Sequence, residues 1–127
     1  MALPRATRLR TPAQFQAAAR GAGVRRHAQG WLAMTARQGE GISSTRVGIT
    51  AAKRFARRAV DRASVKRVLR EAARAALPAL RRDQARHLVL RLNAVVPDVA
   101  TLPRSRFKRE LRRDADALLA RLRGTVH

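Results

Sequence analysis

This 127-residue chain contains no cysteine, so neither a disulfide framework nor a thiolate metal site is open to it. No apolar run is long enough for a secretory signal, and none approaches the length of a membrane-spanning helix. Carboxylates are scarce. Eight Asp and Glu stand against 29 Lys and Arg, giving a net charge of +21 and a pI near 12.0. Metal-dependent phosphodiester cleavage needs carboxylates to hold the ions, and these are poorly grouped for it. Glu110 and Asp114 share a helix face but sit among Arg109, Arg112 and Arg113, so they read as ion pairs. There is no Gly-rich phosphate loop, no zinc-ligand spacing and no nucleophile beside a histidine. His27, His87 and His127 are scattered and suggest no function. What remains is one soluble, basic domain over residues 1–127, expected in the cytoplasm. Its charge points to nucleic acid first and anionic membrane second. Self-repulsion at that charge should also leave the free protein short of stability.

The charge is concentrated in Arg46 to Arg74, RVGITAAKRFARRAVDRASVKRVLREAAR. The stretch opens as an alternating strand, breaks at a cluster of cations and continues as a helix. At about 100° per residue, Val65, Val68, Leu69, Ala72, Ala73 and Ala76 fall on one arc of roughly 140°, the kind of stripe that packs on a sheet. Lys66, Arg67, Arg70 and Arg74 occupy the neighbouring arc, and Arg58 and Arg62 should project beyond the sheet edge. Between Lys53 and Arg74 nine Lys and Arg face two acids, Asp61 and Glu71. Most of these cations have no acid within i±4 reach. That is a docking surface for a polyanion.

Along the chain, Met1 to Arg10 is basic and aperiodic, expected to be a loose arm. Thr11 is a candidate N-cap with Pro12 at the first helical position, and Gly21 and Gly23 should end that helix after Phe15, Ala18 and Ala19. The pattern turns extended from Val24, and Gln29 to Arg37 reads as a strand. Gly39, Gly41, Ser43 and Ser44 suggest a hairpin-type loop before a strand at Thr45 to Ala51. The long helix should end near Leu77, ahead of Pro78, with a charged connection from Leu80 to Arg86. His87 to Asn93 alternates as a strand. Phe107, Leu111, Ala115, Leu118, Leu119 and Leu122 then recur at helical spacing, with Gly124 as the stop. The order α-β-β-β-α-β-α predicts an α+β sandwich of one sheet and packed helices.

The long basic stretch resembles the signature of the bacterial ribonuclease P protein component. That family carries a strand, a Lys-Lys or Lys-Arg pair, an Ala-Val step and then Arg-Asn, Lys-Arg and Arg-Glu pairs on one helix. Arg46, Val47, Gly48, Lys53, Arg54, Ala59, Val60, Arg62, Lys66, Arg67, Arg70 and Glu71 stand in those places here, and RLRTPAQF, with Leu9 and Phe15, matches the family's opening. Ala63 replaces the Asn after Arg62, Ala52 a small polar residue, Ala56 or Arg57 a glycine, and Ala19 a larger apolar residue. The resemblance implies a fold shared with the second domain of a ribosomal protein, with a left-handed β-α-β crossover against the usual right-handed rule. It also implies an endoribonuclease subunit whose RNA partner cleaves. Arg58, Arg62, Lys66, Arg67 and Arg70, with Lys53 and Arg54, would bind the ribonuclease P RNA. Phe15, Trp31 and Arg46, beside Lys53, would line a cleft for the 5′ leader of precursor tRNA. Magnesium is expected in the RNA-containing holoenzyme, none on the protein, with no membrane or small-molecule partner. Read alone, Phe15 and Trp31 fit a core as readily as a cleft, and Phe107 fits a core better. A ribosomal or nucleoid-associated basic protein is the alternative that composition leaves open.

Overall fold

Gln14 and Thr11 close the first helix at its start. The Thr11 hydroxyl accepts a bond from the Gln14 amide at 3.2 Å, and the Gln14 side chain accepts from the Thr11 and Arg10 amides at 3.2 and 2.7 Å. This is a reciprocal capping box with Pro12 in the first turn, and it starts α1 at Pro12–Ala19. The computed structural model describes residues 3, 7–19, 24–39 and 41–123. The glycine stops expected at positions 21, 23 and 124 lie outside them.

Strands β1 (Val24–Gln29) and β2 (Leu32–Arg37) form a hairpin with Gln29 opposite Leu32. The single strand expected from Gln29 to Arg37 is therefore broken at Gly30 and Trp31. Gly30 takes φ of 53°, and its Cβ, if it had one, would lie 2.2 Å from an Asp114 carboxylate oxygen, so glycine alone fits this turn. Next come β3 (Arg46–Thr50), α2 (Ala59–Arg81), β4 (His87–Leu92) and α3 (Arg104–Arg123).

The sheet order is β1-β2-β4-β3, with β3 parallel to β4 and the other pairs antiparallel. The loop after β2 is thus no hairpin, because β4 lies between β2 and β3. Gly39 and Gly41 do turn with positive φ, but local turn chemistry does not say which strands pair. β4 takes a central place because Leu88, Val89 and Leu90 bury both of its faces. β3, α2 and β4 make the parallel β-α-β unit in which the resemblance places its crossover.

The long helix also runs past its expected end, with Pro78 inside it. Proline there leaves the carbonyl four residues back without a partner. Arg74 and Pro78 are both exposed, so water can take that bond. The extra turn carries Leu80, fully buried, into the core.

One main core lies between the sheet and the α2–α3 pair. Leu32, Met34, Ala36, Val47, Leu88, Leu90 and Leu92 meet Val65, Leu69, Ala72, Ala73 and Leu77 of α2 and the apolar stripe of α3 there. The opposite sheet face holds a small cluster of Leu9, Ala18, Val89 and Phe15 under α1. The described part of the arm is docked rather than loose. Leu3, Thr7 and Leu9 are buried, the Leu9 amide donates to the Val47 carbonyl at 3.0 Å, and Arg8 bridges Val47 as a parallel continuation of the sheet. Leucines at positions 3 and 9 find apolar partners on the β3 edge, which its basic composition hides.

Candidate nucleic-acid interface

The cations of α2 divide between its two flanks. Arg70 borders a cavity of about 210 Å³ at the β3 edge, shared with Arg8, Arg10 and Phe15. Arg67 borders a different groove, shared with α3. At 100° per residue Arg62 and Lys66 fall on the Arg70 side. The single cationic arc expected for Arg62, Lys66, Arg67 and Arg70 is therefore parted, with Arg67 turned toward α3.

Ahead of α2 the loop presents Lys53, Arg54, Arg57 and Arg58, all exposed. Phe55 and Ala56 amides close it on the Ala52 carbonyl, and the Phe55 carbonyl receives the Val96 amide at 2.8 Å. Arg54 stacks over the Phe55 ring at 4.7 Å. Arg62 reaches back, its Nη1 donating to the Ala56 and Arg57 carbonyls at 2.9 and 2.8 Å. Its remaining guanidinium donors stay available to a phosphate. Arg58 occupies the N-cap of α2 without a side-chain cap bond, so the helix start adds its own partial positive charge to this cluster.

The two aromatic residues expected to share a cleft lie on opposite faces of the sheet. Trp31 stands edge-on to Phe107, centroids 5.3 Å apart, and packs on the main core, while its amide donates to Asp114 at 3.0 Å. Phe15 sits in the small cluster under α1. Gly48 makes that seat possible: a Cβ there would meet the Phe15 ring at 2.4 Å. Strand alternation places Arg46, His87, Arg91 and Arg37 on the Phe15 face with Val89. The register sets Arg37, His87 and Arg46 side by side across β2, β4 and β3. Burial first, and then Arg46 and Arg37, hold the His87 pKa below its ordinary 6.5. Sequence reading brings Phe15 and Arg46 to this face but misses Arg37, His87 and Arg91. Their signal is visible only once β4 is known to lie between β2 and β3.

The carboxylates are mostly engaged. Arg104 forks onto Asp61 at 3.1 and 3.2 Å while donating to the Pro97 carbonyl, tying the start of α2 to the start of α3. Arg86 holds Asp83 at 2.7 Å and keeps its carboxyl below the usual carboxylate range. Arg106 pairs with Glu110, and Arg112 with Asp116. Asp114, expected to be in an ion pair, instead accepts the Trp31 amide. Among the described residues no group of three or more His, Cys, Asp or Glu could hold a metal ion.

Known proteins share this layout. The family model described as Ribonuclease P matches residues 3–123. The chain is 37% identical over 122 residues to the ribonuclease P protein component of Bordetella avium, covering 94% of each. It is 36% identical over 125 residues to that of Bordetella parapertussis, again with 94% of each covered. The chain belongs to the ribonuclease P protein family. A solved structure of the Staphylococcus aureus RNase P protein matches with a TM-score of 0.69 at 17% identity, covering 93% of this chain and 96% of that one, and supports the fold. The ribonuclease P signature is thus laid out here as β3, the Lys53–Arg58 loop and the first half of α2, with Ala63 exposed among the cations. Membership in this family makes the chain a component of an endoribonuclease of tRNA 5′ processing. No described helix is long and apolar enough to cross a membrane.

Proposed function

We propose that this protein binds the catalytic RNA subunit of ribonuclease P and the 5′ leader of precursor tRNA, so that the RNA removes the leader. The observation that carries the reading is a surface rich in arginine and lysine joined to a half-buried aromatic, Phe15, while the carboxylate at the start of α2, Asp61, is held by Arg104. Such a surface binds phosphates and leaves cleavage to its partner. Arg58, Arg62, Lys66, Arg67 and Arg70, with Lys53 and Arg54, contact the ribonuclease P RNA, where Arg forks suit phosphate oxygens. Phe15 and Arg46 face the leader, with Arg37, His87 and Arg91 continuing the cationic floor. A base stacked on Phe15 contributes about 1–3 kcal/mol without demanding a sequence. Magnesium belongs to the RNA, and the complex works in the cytoplasm.

The test compares precursor and mature tRNA binding to the RNA subunit with and without this protein. Tighter binding of the leader-bearing form, and not of mature tRNA, is the expected result. Equal gain for both would show that the leader is not what the protein holds.

A further inference from the structure

The α3 side of α2 carries a second cationic surface. A groove of about 290 Å³ lies there, lined by Ser64, Arg67 and Glu71 of α2 and by Lys108, Arg109 and Arg112 of α3, with Val68 as its half-buried floor. Four cations face one acid. The arrangement works against the helix that carries it, because Arg104, Lys108 and Arg112 follow at i, i+4 spacing, where like charges repel. The outer two are neutralised, Arg104 by Asp61 and Arg112 by Asp116. Arg67, Lys108 and Arg109 have no carboxylate partner among the described residues. They lie over a partly apolar concave floor, where charge is screened less than on an open surface.

We propose that this groove is a second seat for an RNA sugar–phosphate backbone, separate from the Arg62, Lys66 and Arg70 flank. The inference rests on the reading of the chain as an RNA-binding subunit. Charge decides the occupant: an acidic protein would neutralise the rim, but Arg67 and Arg109, the two groove arginines without a carboxylate partner among the described residues, offer forks that match successive phosphates. From Ser64 to Glu71 the groove runs about 10 Å along α2, room for more than one phosphate of a strand. The Ser64 hydroxyl can donate to a phosphate oxygen or accept from a 2′-hydroxyl. Glu71 repels the backbone at one rim and so fixes which way it lies. RNA then grips α2 from both flanks, which explains why its cations are parted rather than gathered.

The test is a salt titration of the full-length protein binding an in vitro transcribed bacterial ribonuclease P RNA. Lys108→Gln with Arg109→Gln should flatten the plot of log affinity against log salt by about 1.4–1.8, at 0.7–0.9 for each phosphate no longer neutralised. Arg25→Gln with Arg82→Gln removes the same charge from exposed positions outside both flanks and should leave the slope unchanged. Glu71→Gln should tighten binding. An unchanged slope for the groove variant, equal flattening by the control, or no gain from Glu71→Gln overturns the groove. If Lys66→Gln with Arg70→Gln flattens the slope while the groove variant does not, only the groove is lost. If the wild-type protein shows no salt-dependent binding, the RNA-binding reading falls, and the groove with it.

Discussion

The two faces of the sheet are built to different ends. One meets α2 and α3 through Leu32, Met34, Leu88, Leu90 and Leu92, each at 1% exposure or less. Among the described residues the other is covered by the short α1 and Leu9 of the arm, around Phe15, Ala18 and Val89, and carries Arg37, His87, Arg46 and Arg91 on the same side. Alternation along β4 serves both, since Leu88, Leu90 and Leu92 point one way and His87, Val89 and Arg91 the other. The main core is built from apolar side chains, so one face supplies the stability and, on the proposed reading, the other supplies the contacts. Substitutions on the two faces should therefore fail in different assays.

The largest effect is expected on the apolar face. Leu111→Ala removes a fully buried side chain of α3 and should cost about 2–5 kcal/mol. Urea unfolding followed by circular dichroism measures it. RNA added in excess should restore folding by mass action, about 2.7 kcal/mol at a hundred times its dissociation constant. If Leu111→Ala weakened RNA binding with no loss of stability, the division between faces would be wrong.

Gly48→Ala comes next. The new methyl collides with the Phe15 ring, an overpacking that costs about 1–3 kcal/mol. In a Phe15→Ala background the same change should cost less, because the ring is gone and only the Leu9 methyl, 3.1 Å from the added Cβ, remains close. Additive costs in that double-mutant cycle would mean that Gly48 matters for its backbone and not for the ring.

The two aromatic residues sharpen the contrast further. Phe15→Ala should weaken binding of leader-bearing precursor by about 1–3 kcal/mol while sparing mature tRNA. Trp31→Ala removes the ring that stands against Phe107, so it should lower the melting temperature and leave leader discrimination intact once the protein is folded. The reverse outcome would exchange the roles of the faces.

The smallest effect concerns pH. His87 has a pKa lowered in the folded state from its ordinary 6.5. The unfolded chain therefore takes up this proton at a higher pH than the folded one, and stability falls as pH drops below about 6.5 toward the folded value. His87→Gln should flatten that acid limb in melts from about pH 7.5 to 5. A limb of the same steepness in the variant would assign it to another group.

Much of this fold is legible in the residues, and the failures have physical causes. The apolar arcs of α2 and α3 and the alternation of β4 are local periodicities, and they bury the residues they predict except Val68 and Ala76, which are half-buried. Pro78 misleads because its cost depends on whether Arg74 is exposed, a tertiary fact. The β2–β3 loop misleads because its glycines specify a turn but not a partner strand. Trp31 falls on the wrong face when the strand is carried through Gly30, since a turn there removes the alternation that would place it. Arg67 and Arg70 lie only about 60° apart around α2, and nothing short of the position of α3 reveals that they serve different grooves.

The most direct test of the central claim is cleavage of precursor tRNA by a bacterial ribonuclease P RNA at limiting magnesium, with and without this protein. Faster appearance of the mature 5′ end is expected when the wild-type protein is present. Phe15→Ala should lose the part of that gain that depends on the leader, and the protein alone should cleave nothing. Equal rates with and without the protein, or cleavage by the protein alone, would contradict the claim.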